Sequence, residues 1–343
     1  MTKPIHLVCA AIVLLLSAAC TKSTSTSIDP ERLKAFAPLP DAAAPAAGAQ
    51  VELGRMLYYE KRLSKNQDVS CNTCHPLAKF GADGQPTSEG HAGQHGTRNS
   101  PTVYNAALQF VQFWDGRAAD VEAQAAGPML NPVEMAMPSE KAVLEVLNSM
   151  PGYVEAFRQA YPDDKDPMTM SHVTAAIGTF ERGLTTPSRW DKFLKGDEAA
   201  LTPAEKAGFN QFADAGCALC HSGKLVGGGA FQKLGVMKEY PDKSDPGRFN
   251  VTKNESDRLV FKVPSLRNIA RTGPYFHDGK VRTLETALAM MAEYQTGMPL
   301  NAASTDGIVV WLQSLTGDTP EQYVREPELP QSTARTPKPV AGI

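Results

Sequence analysis

The sequence predicts a mainly α protein built as two related halves with long loops between helices. Three observations predict it. Helical periodicity recurs along the 343 residues while strand alternation is scarce. The pattern C-x-x-C-H occurs twice, as "CNTCH" from Cys71 and "CALCH" from Cys217. A stretch beginning at Pro101, "PTVYNAALQFVQFWDGR", returns at Pro264 as "PSLRNIARTGPYFHDGK".

The chain opens with what reads as an export signal over residues 1–19. Lys3 gives the positive start, residues 7–16 the apolar core and Ser17-Ala18-Ala19 the small residues before cleavage. The apolar run is too short to span a bilayer comfortably. Cys20 follows, then the polar "TKSTSTS", which resembles a bacterial lipoprotein signal. A lipid anchor at Cys20 and plain export to the periplasm both stay open. Residues 20–47 read as an exported linker, Ala/Pro-rich from Asp41 onward.

The first domain is expected over residues 48–187. An amphipathic helix over 48–63 leads into the first C-x-x-C-H, and "SEKAVLEVLNSM", "GYVEAFRQAY" and "SHVTAAIGTFERGL" read as further helices. The second domain is expected over 188–320. Its helix before the second motif has a full start signal: Thr202 as N-cap, Pro203 in the first turn and Glu205 completing a capping box. Residues 321–343 read as a C-terminal tail. An apolar fraction of 42% supports packed cores, and a net charge of −3 without a long basic run argues against nucleic acid as a partner.

Of six cysteines, Cys9 and Cys20 lie in or beside the signal, and the other four sit in the two motifs. None is left for a disulfide in the mature body. Zinc would need both pairs to converge on one ion, and it does not account for the His after each pair. The reading is covalent haem: Cys71, Cys74, Cys217 and Cys220 form the thioethers, and His75 and His221 are the proximal iron ligands.

The two copies of the repeat share Pro, an Asn four residues on, and a closing Asp-Gly-Arg/Lys, followed by Val121-Glu122 or Leu284-Glu285. This points to a duplicated haem domain. The differences carry information. Trp114 matches His277, and Gln124 matches Ala287, so the first copy has gained polar groups near its haem.

The sixth iron ligands separate the roles of the two haems. In the second copy Met291 lies in "TLETALAMMAEYQTG", with Met290 adjacent and Met237 and Met298 as alternatives. A Met in an apolar helix is more often core filling. Leu284, Leu288 and Met291 share one helical stripe, from which Met290 is rotated by about 100°. In the first copy, His91 and His95 lie in the Gly-rich loop "QPTSEGHAGQHGTRNSP", where either is a solvated loop His or an iron ligand. Gln124 and Glu134 follow, as a hydrogen-bond donor and a proton-carrying carboxylate if they face the haem.

The motifs "SCNTCH", "QPTSEGH", "PTVYNAALQFVQFWDGRA", "EAQAAGPMLNPVEM", "FKVPSLRNIARTGPYFHDG" and "MMAEYQTG" together resemble the bacterial di-haem cytochrome c peroxidases, over about residues 48–316. The resemblance implies two cytochrome-c-like helical domains facing each other. It implies reduction of hydrogen peroxide with electrons from a small periplasmic cytochrome c or copper protein, in a homodimer. It makes the haem of His75 peroxidatic and low in potential, with His91 rather than His95 as its displaceable ligand. Glu134 would be the acid–base group, and Gln124 would position peroxide. His221 and Met291 would hold the high-potential haem, with Trp114 on the electron route. A calcium ion between the domains would use Asn99 and the carbonyls of Thr272 and Pro274, ligands that suit calcium.

Two other readings compete. Enzymes that mature a tryptophan-derived cofactor resemble this chain but carry Tyr where Met291 stands. A plain di-haem electron carrier would have no use for Gln124, Glu134 and the His91 loop.

Overall fold

The structure is a computed structural model that describes residues 27–40 and 48–340. The export signal, Cys20 and residues 41–47 of the linker lie outside the described residues.

Helices dominate. The first half holds α1 (Ala49–Tyr59), α2 (Val121–Leu130), α3 (Glu140–Asn148), α4 (Pro151–Ala160) and α5 (Met170–Glu181). The second holds α6 (Arg189–Leu194), α7 (Pro203–Asp214), α8 (Leu284–Met291) and α9 (Ala302–Gln313). One small antiparallel sheet pairs β1 (Phe231–Lys233) with β2 (Val260–Lys262). The helix expected over 48–63 is α1 followed by a separate 3₁₀ turn, Lys61–Leu63. Glu60 divides them because it adopts an extended conformation and caps the turn with its own carboxylate.

Each half is built on a pair of packed helices. α1 crosses α5 so closely that a Cβ on Gly54 would collide with the Ala176 carbonyl. In the second half, Phe209 and Phe212 of α7 pack on Trp311 of α9, with centroids 5.3 and 4.5 Å apart. α7 starts as its sequence predicts, with Thr202 and Glu205 forming the capping box. Separate cores fill the two halves, one around Leu53, Met129, Val146 and Phe157, the other around Trp190, Phe209 and Trp311.

The two copies of the repeated stretch adopt matching backbones. Asn105 and Asn268 are left-handed, at φ 62° and 61°, and so are Phe113 and Phe276, at 65° and 68°. Both Asn side chains donate to one buried hydroxyl, Thr186 Oγ1, at 2.8 and 2.9 Å. Their amide oxygens accept from Thr186 N and Gly317 N, both at 3.0 Å. Trp114 faces its counterpart His277 edge-on across the seam, with ring centroids 6.4 Å apart. Backbone bonds run both ways: Asn99 N donates to His277 O at 2.7 Å, and Lys262 N to Trp114 O at 2.8 Å. Arg98 closes the seam with ion pairs to Asp115 in the first half and Asp245 in the second, each at 2.6 Å.

The chain ends differ from the expected linker and tail. Residues 27–40 pack on the second half: Ile28 and Phe36 enter its core, and Leu39 N donates to buried Asp191 at 2.7 Å. Residues 321–340 pack on the first half: Tyr323 stacks on Phe180 and donates to its carbonyl at 2.6 Å, and Arg62 binds Pro330 O at 2.8 Å. The apolar anchors Ile28, Phe36, Leu39 and Tyr323 explain this, because each buries surface that a polar tail would leave wet.

Tyr323→Ala removes both the ring contact and the hydrogen bond. The expected loss is about 3–5 kcal/mol of stability, measured by urea unfolding. Hydrogen exchange should rise in α1 and α5 and stay unchanged in α7.

Candidate functional site

Both C-x-x-C-H motifs present their side chains from short turns. Cys71–Cys74 form a four-residue helical turn capped by Ser70 and Thr73, and Cys217–Leu219 form a 3₁₀ turn after Gly216, whose φ is 77°. The four thiols are free and half-buried. Burial pushes Cys71 up to about 12, and Cys74 and Cys217 up to about 11. Among the described residues no three His, Cys, Asp or Glu side chains gather as a metal cluster, so the two pairs do not share an ion.

The imidazoles carry a ligand's arrangement. His75 Nδ1 lies 3.3 Å from Gly81 O, and His221 Nδ1 lies 3.4 Å from Val226 O. A proton on Nδ1 directed at a carbonyl leaves Nε2 as the basic atom, the one that a metal could bind. Burial keeps both rings neutral by lowering their pKa, that of His221 to about 4. Paired thiols followed by a neutral, oriented imidazole fit a covalently held haem in each half.

A cavity of about 280 Å³ opens in the first half, with Phe113, Arg117, Gly127, Asn131 and Glu134 in its wall. Asn131 Nδ2 donates to Glu134 Oε1 at 2.8 Å. Burial raises the Glu134 pKa, while nearby Arg117 and the Asn131 bond act against the rise. Arg117 itself lies over the Phe113 ring, 3.4 Å from its centroid. The Glu134 carboxylate also acts electrostatically on the Cys74 thiol, which ties the cavity to the first motif. Sequence reading missed Arg117 and Asn131. The only signal for Arg117 was its place at the end of the repeated Asp-Gly-Arg/Lys.

His91 approaches this group from the loop. Its backbone N donates to Glu134 O at 2.7 Å, and a Cβ on Gly90 would overlap the Val133 carbonyl. Ala92 is left-handed at φ 55°, which turns the chain back. His91 Nδ1 is buried with no hydrogen-bond partner. His95 is exposed, with Nδ1 3.0 Å from Thr87 O. Gln124 lies on the α2 stripe of Gly127, Pro128 and Asn131 but outside the cavity wall.

The remaining expected residues lie at the seam or in the second half. Trp114 Nε1 donates to Asn99 O at 2.9 Å. Asn99 is buried, and its amide donates to Gln85 O at 3.0 Å. Thr272 and Pro274 flank Gly273 in the loop that leads to His277, whose carbonyl binds Asn99 N. Met290 and Met291 both pack beside Leu234, Tyr240, Leu259 and Phe261, whereas Leu284 and Leu288 belong to the second-half core. The helical stripe therefore does not separate the two methionines. After Met291 the helix widens into a π turn, Ala292–Thr296, a feature frequent at functional sites. Met237 and Met298 are exposed.

The family model for di-haem cytochrome c peroxidases matches residues 48–199. The chain is 46% identical over 299 residues to cytochrome c551 peroxidase of Nitrosomonas europaea, covering 87% of this chain and 88% of that protein. It is 43% identical over 337 residues to cytochrome c551 peroxidase of Pseudomonas aeruginosa, covering 95% and 96%. A solved MauG-like protein associated with microbial copper homeostasis aligns with a TM-score of 0.72 at 28% identity, covering 84% of this chain and 97% of that one. With its paired C-x-x-C-H motifs and this similarity along nearly the whole chain, the protein belongs to the di-haem cytochrome c peroxidase family of oxidoreductases.

Proposed function

We propose that this protein reduces hydrogen peroxide to water in the periplasm, drawing electrons from a small soluble cytochrome c or copper protein. The carrying observation is Glu134, a half-buried carboxyl in a cavity wall, whose neighbour Met135 belongs to the core cluster that Cys74 of the first motif packs against. One haem on Cys71, Cys74 and His75 and another on Cys217, Cys220 and His221 would supply the iron chemistry, the first meeting peroxide and the second receiving electrons.

Reducing one peroxide to two waters takes two electrons and two protons. Glu134 takes a proton from one peroxide oxygen and returns it to the other, which leaves as water. Its raised pKa suits this exchange better than that of an exposed carboxylate. Arg117 supplies positive charge beside it, and Gln124 orients peroxide from further along α2. His91 would be the displaceable ligand of a haem in the first half, its buried Nδ1 being without a hydrogen-bond partner. Its loop is tied to the Glu134 turn by the backbone bond from His91 N to Glu134 O.

Met291, rather than Met290, would complete the second iron site. Electrons enter beside it, where Leu219, Met237 and Met298 are 87%, 61% and 48% exposed and offer an apolar docking patch. They cross the seam by way of Trp114. Asn99 and the carbonyls of Thr272 and Pro274 would supply oxygen ligands to a calcium ion at the seam. The halves derive from one duplicated cytochrome-c-like domain, and the paired left-handed residues support that origin. The working form is a homodimer, with Cys20 a candidate lipid anchor.

Glu134→Gln should lower peroxide turnover by about 10²–10⁴-fold while two haems stay attached. Turnover near that of the wild type would remove Glu134 from the chemistry. In His91→Gly, the resting optical spectrum should change to that of an open first haem. An unchanged spectrum would place the gate elsewhere. Met291→Ala should abolish the thioether–iron absorption band and Met290→Ala should keep it. The reverse result exchanges the two assignments.

A further inference from the structure

Position 262 is the counterpart of position 99 in the repeated stretch, since each lies two residues before the Pro that begins a copy. The structure treats them as counterparts. Asn99 N donates to the carbonyl of His277, and Lys262 N to the carbonyl of Trp114, the residue that matches His277. Both side chains are buried at the seam, Asn99 at 8% exposure and Lys262 at 6%. The first copy thus presents an amide where the second presents an ammonium.

That ammonium lacks a countercharge. Its one hydrogen-bond acceptor among the described residues is the neutral Gln109 amide oxygen, and no carboxylate acts on it. Burial alone pulls its pKa down to about 8. A buried cation without an anion costs several kcal/mol, so the fold keeps Lys262 for a partner the polypeptide does not supply. The surroundings indicate which partner. The chain continues from Lys262 to Val263, whose carbonyl accepts from Gly228 N at 2.8 Å, and to Pro264, whose carbonyl acts on the His221 imidazole. Gln109 packs against the same glycine, Gly228. Lys262 therefore sits on the framework that holds the second iron ligand.

We propose that Lys262 binds a carboxylate of the haem held by Cys217, Cys220 and His221, and that its charge sets that haem's reduction potential. The inference rests on the reading that this motif holds a haem. A positive charge at the haem edge favours the reduced, less positive iron, so removing it lowers the potential. Position 262 is then a built-in cation where the other copy carries the Asn99 expected to bind calcium.

The test is Lys262→Met in the haem-loaded protein. Covalent haem is counted first; fewer than two haems in the wild type would overturn the underlying reading as well. Optical redox titration should show the second-half haem shifted about tenfold toward its oxidised form, ~59 mV for one electron, and the first-half haem shifted less. Equal potentials in variant and wild type, or a larger shift at the first haem, would overturn the assignment. Thermal unfolding gives an independent sign. Loss of a paired cation leaves a carboxylate uncompensated and lowers Tm, whereas loss of an unpaired ammonium raises it, and a rise refutes the proposal. Lys262→Gln, polar and uncharged, carries the same expectations if the Met variant fails to assemble.

Discussion

A single hydroxyl fixes the relation between the two halves. Thr186 Oγ1 accepts from Asn105 and from Asn268, and a hydroxyl oxygen has two lone pairs for that purpose. All three residues are buried, so neither amide has water as a substitute. Each Asn is itself left-handed and leads into a 3₁₀ turn of its repeat, on the way to Trp114 or His277. The hydroxyl therefore fixes two loops at once, and those loops run to Trp114 and His277, which face each other across the seam. Thr186 lies between α5 and α6, in the short connection where the chain passes from one half to the other.

From that common frame the halves diverge in polarity. In the first, α2 and the turn after it carry Asn131 and Glu134, with Arg117 opposite, around a cavity. In the second, α8 carries Ala287, Leu288, Met290 and Met291 and packs into apolar clusters. The same scaffold thus carries a polar cavity on one side and an apolar cluster on the other. Electrostatics keeps the division. Burial raises the Glu134 pKa, and Arg117 and Asn131 offset part of that rise.

Much of this was legible in the sequence because it is local. Two C-x-x-C-H motifs need only five residues each, and the Thr202–Glu205 capping box needs four. The repeated stretch is also legible, and its two Asn residues share a left-handed backbone. What stayed hidden depends on distant contacts. Asn131 and Arg117 meet Glu134 only through folding, and the bond from His91 N to Glu134 O spans 43 positions. Helical spacing could not separate Met290 from Met291, because both end the regular helix at the point where it widens into a π turn. The Ile28, Phe36 and Tyr323 anchors are single apolar residues in polar surroundings, too sparse for periodicity to reveal.

The crossed chain ends bear on how such a molecule could arise and be altered. The N-terminal segment covers the second half, and the C-terminal segment covers the first. Each half therefore borrows part of its casing from the opposite end of the polypeptide. A cut at residue 187 would not yield two self-sufficient modules, since each fragment would carry its neighbour's cover and lack its own. The protein cannot be shuffled as a pair of interchangeable cassettes, even though its repeat looks modular. Exchange of a half between relatives would have to bring along a strap encoded more than a hundred residues away.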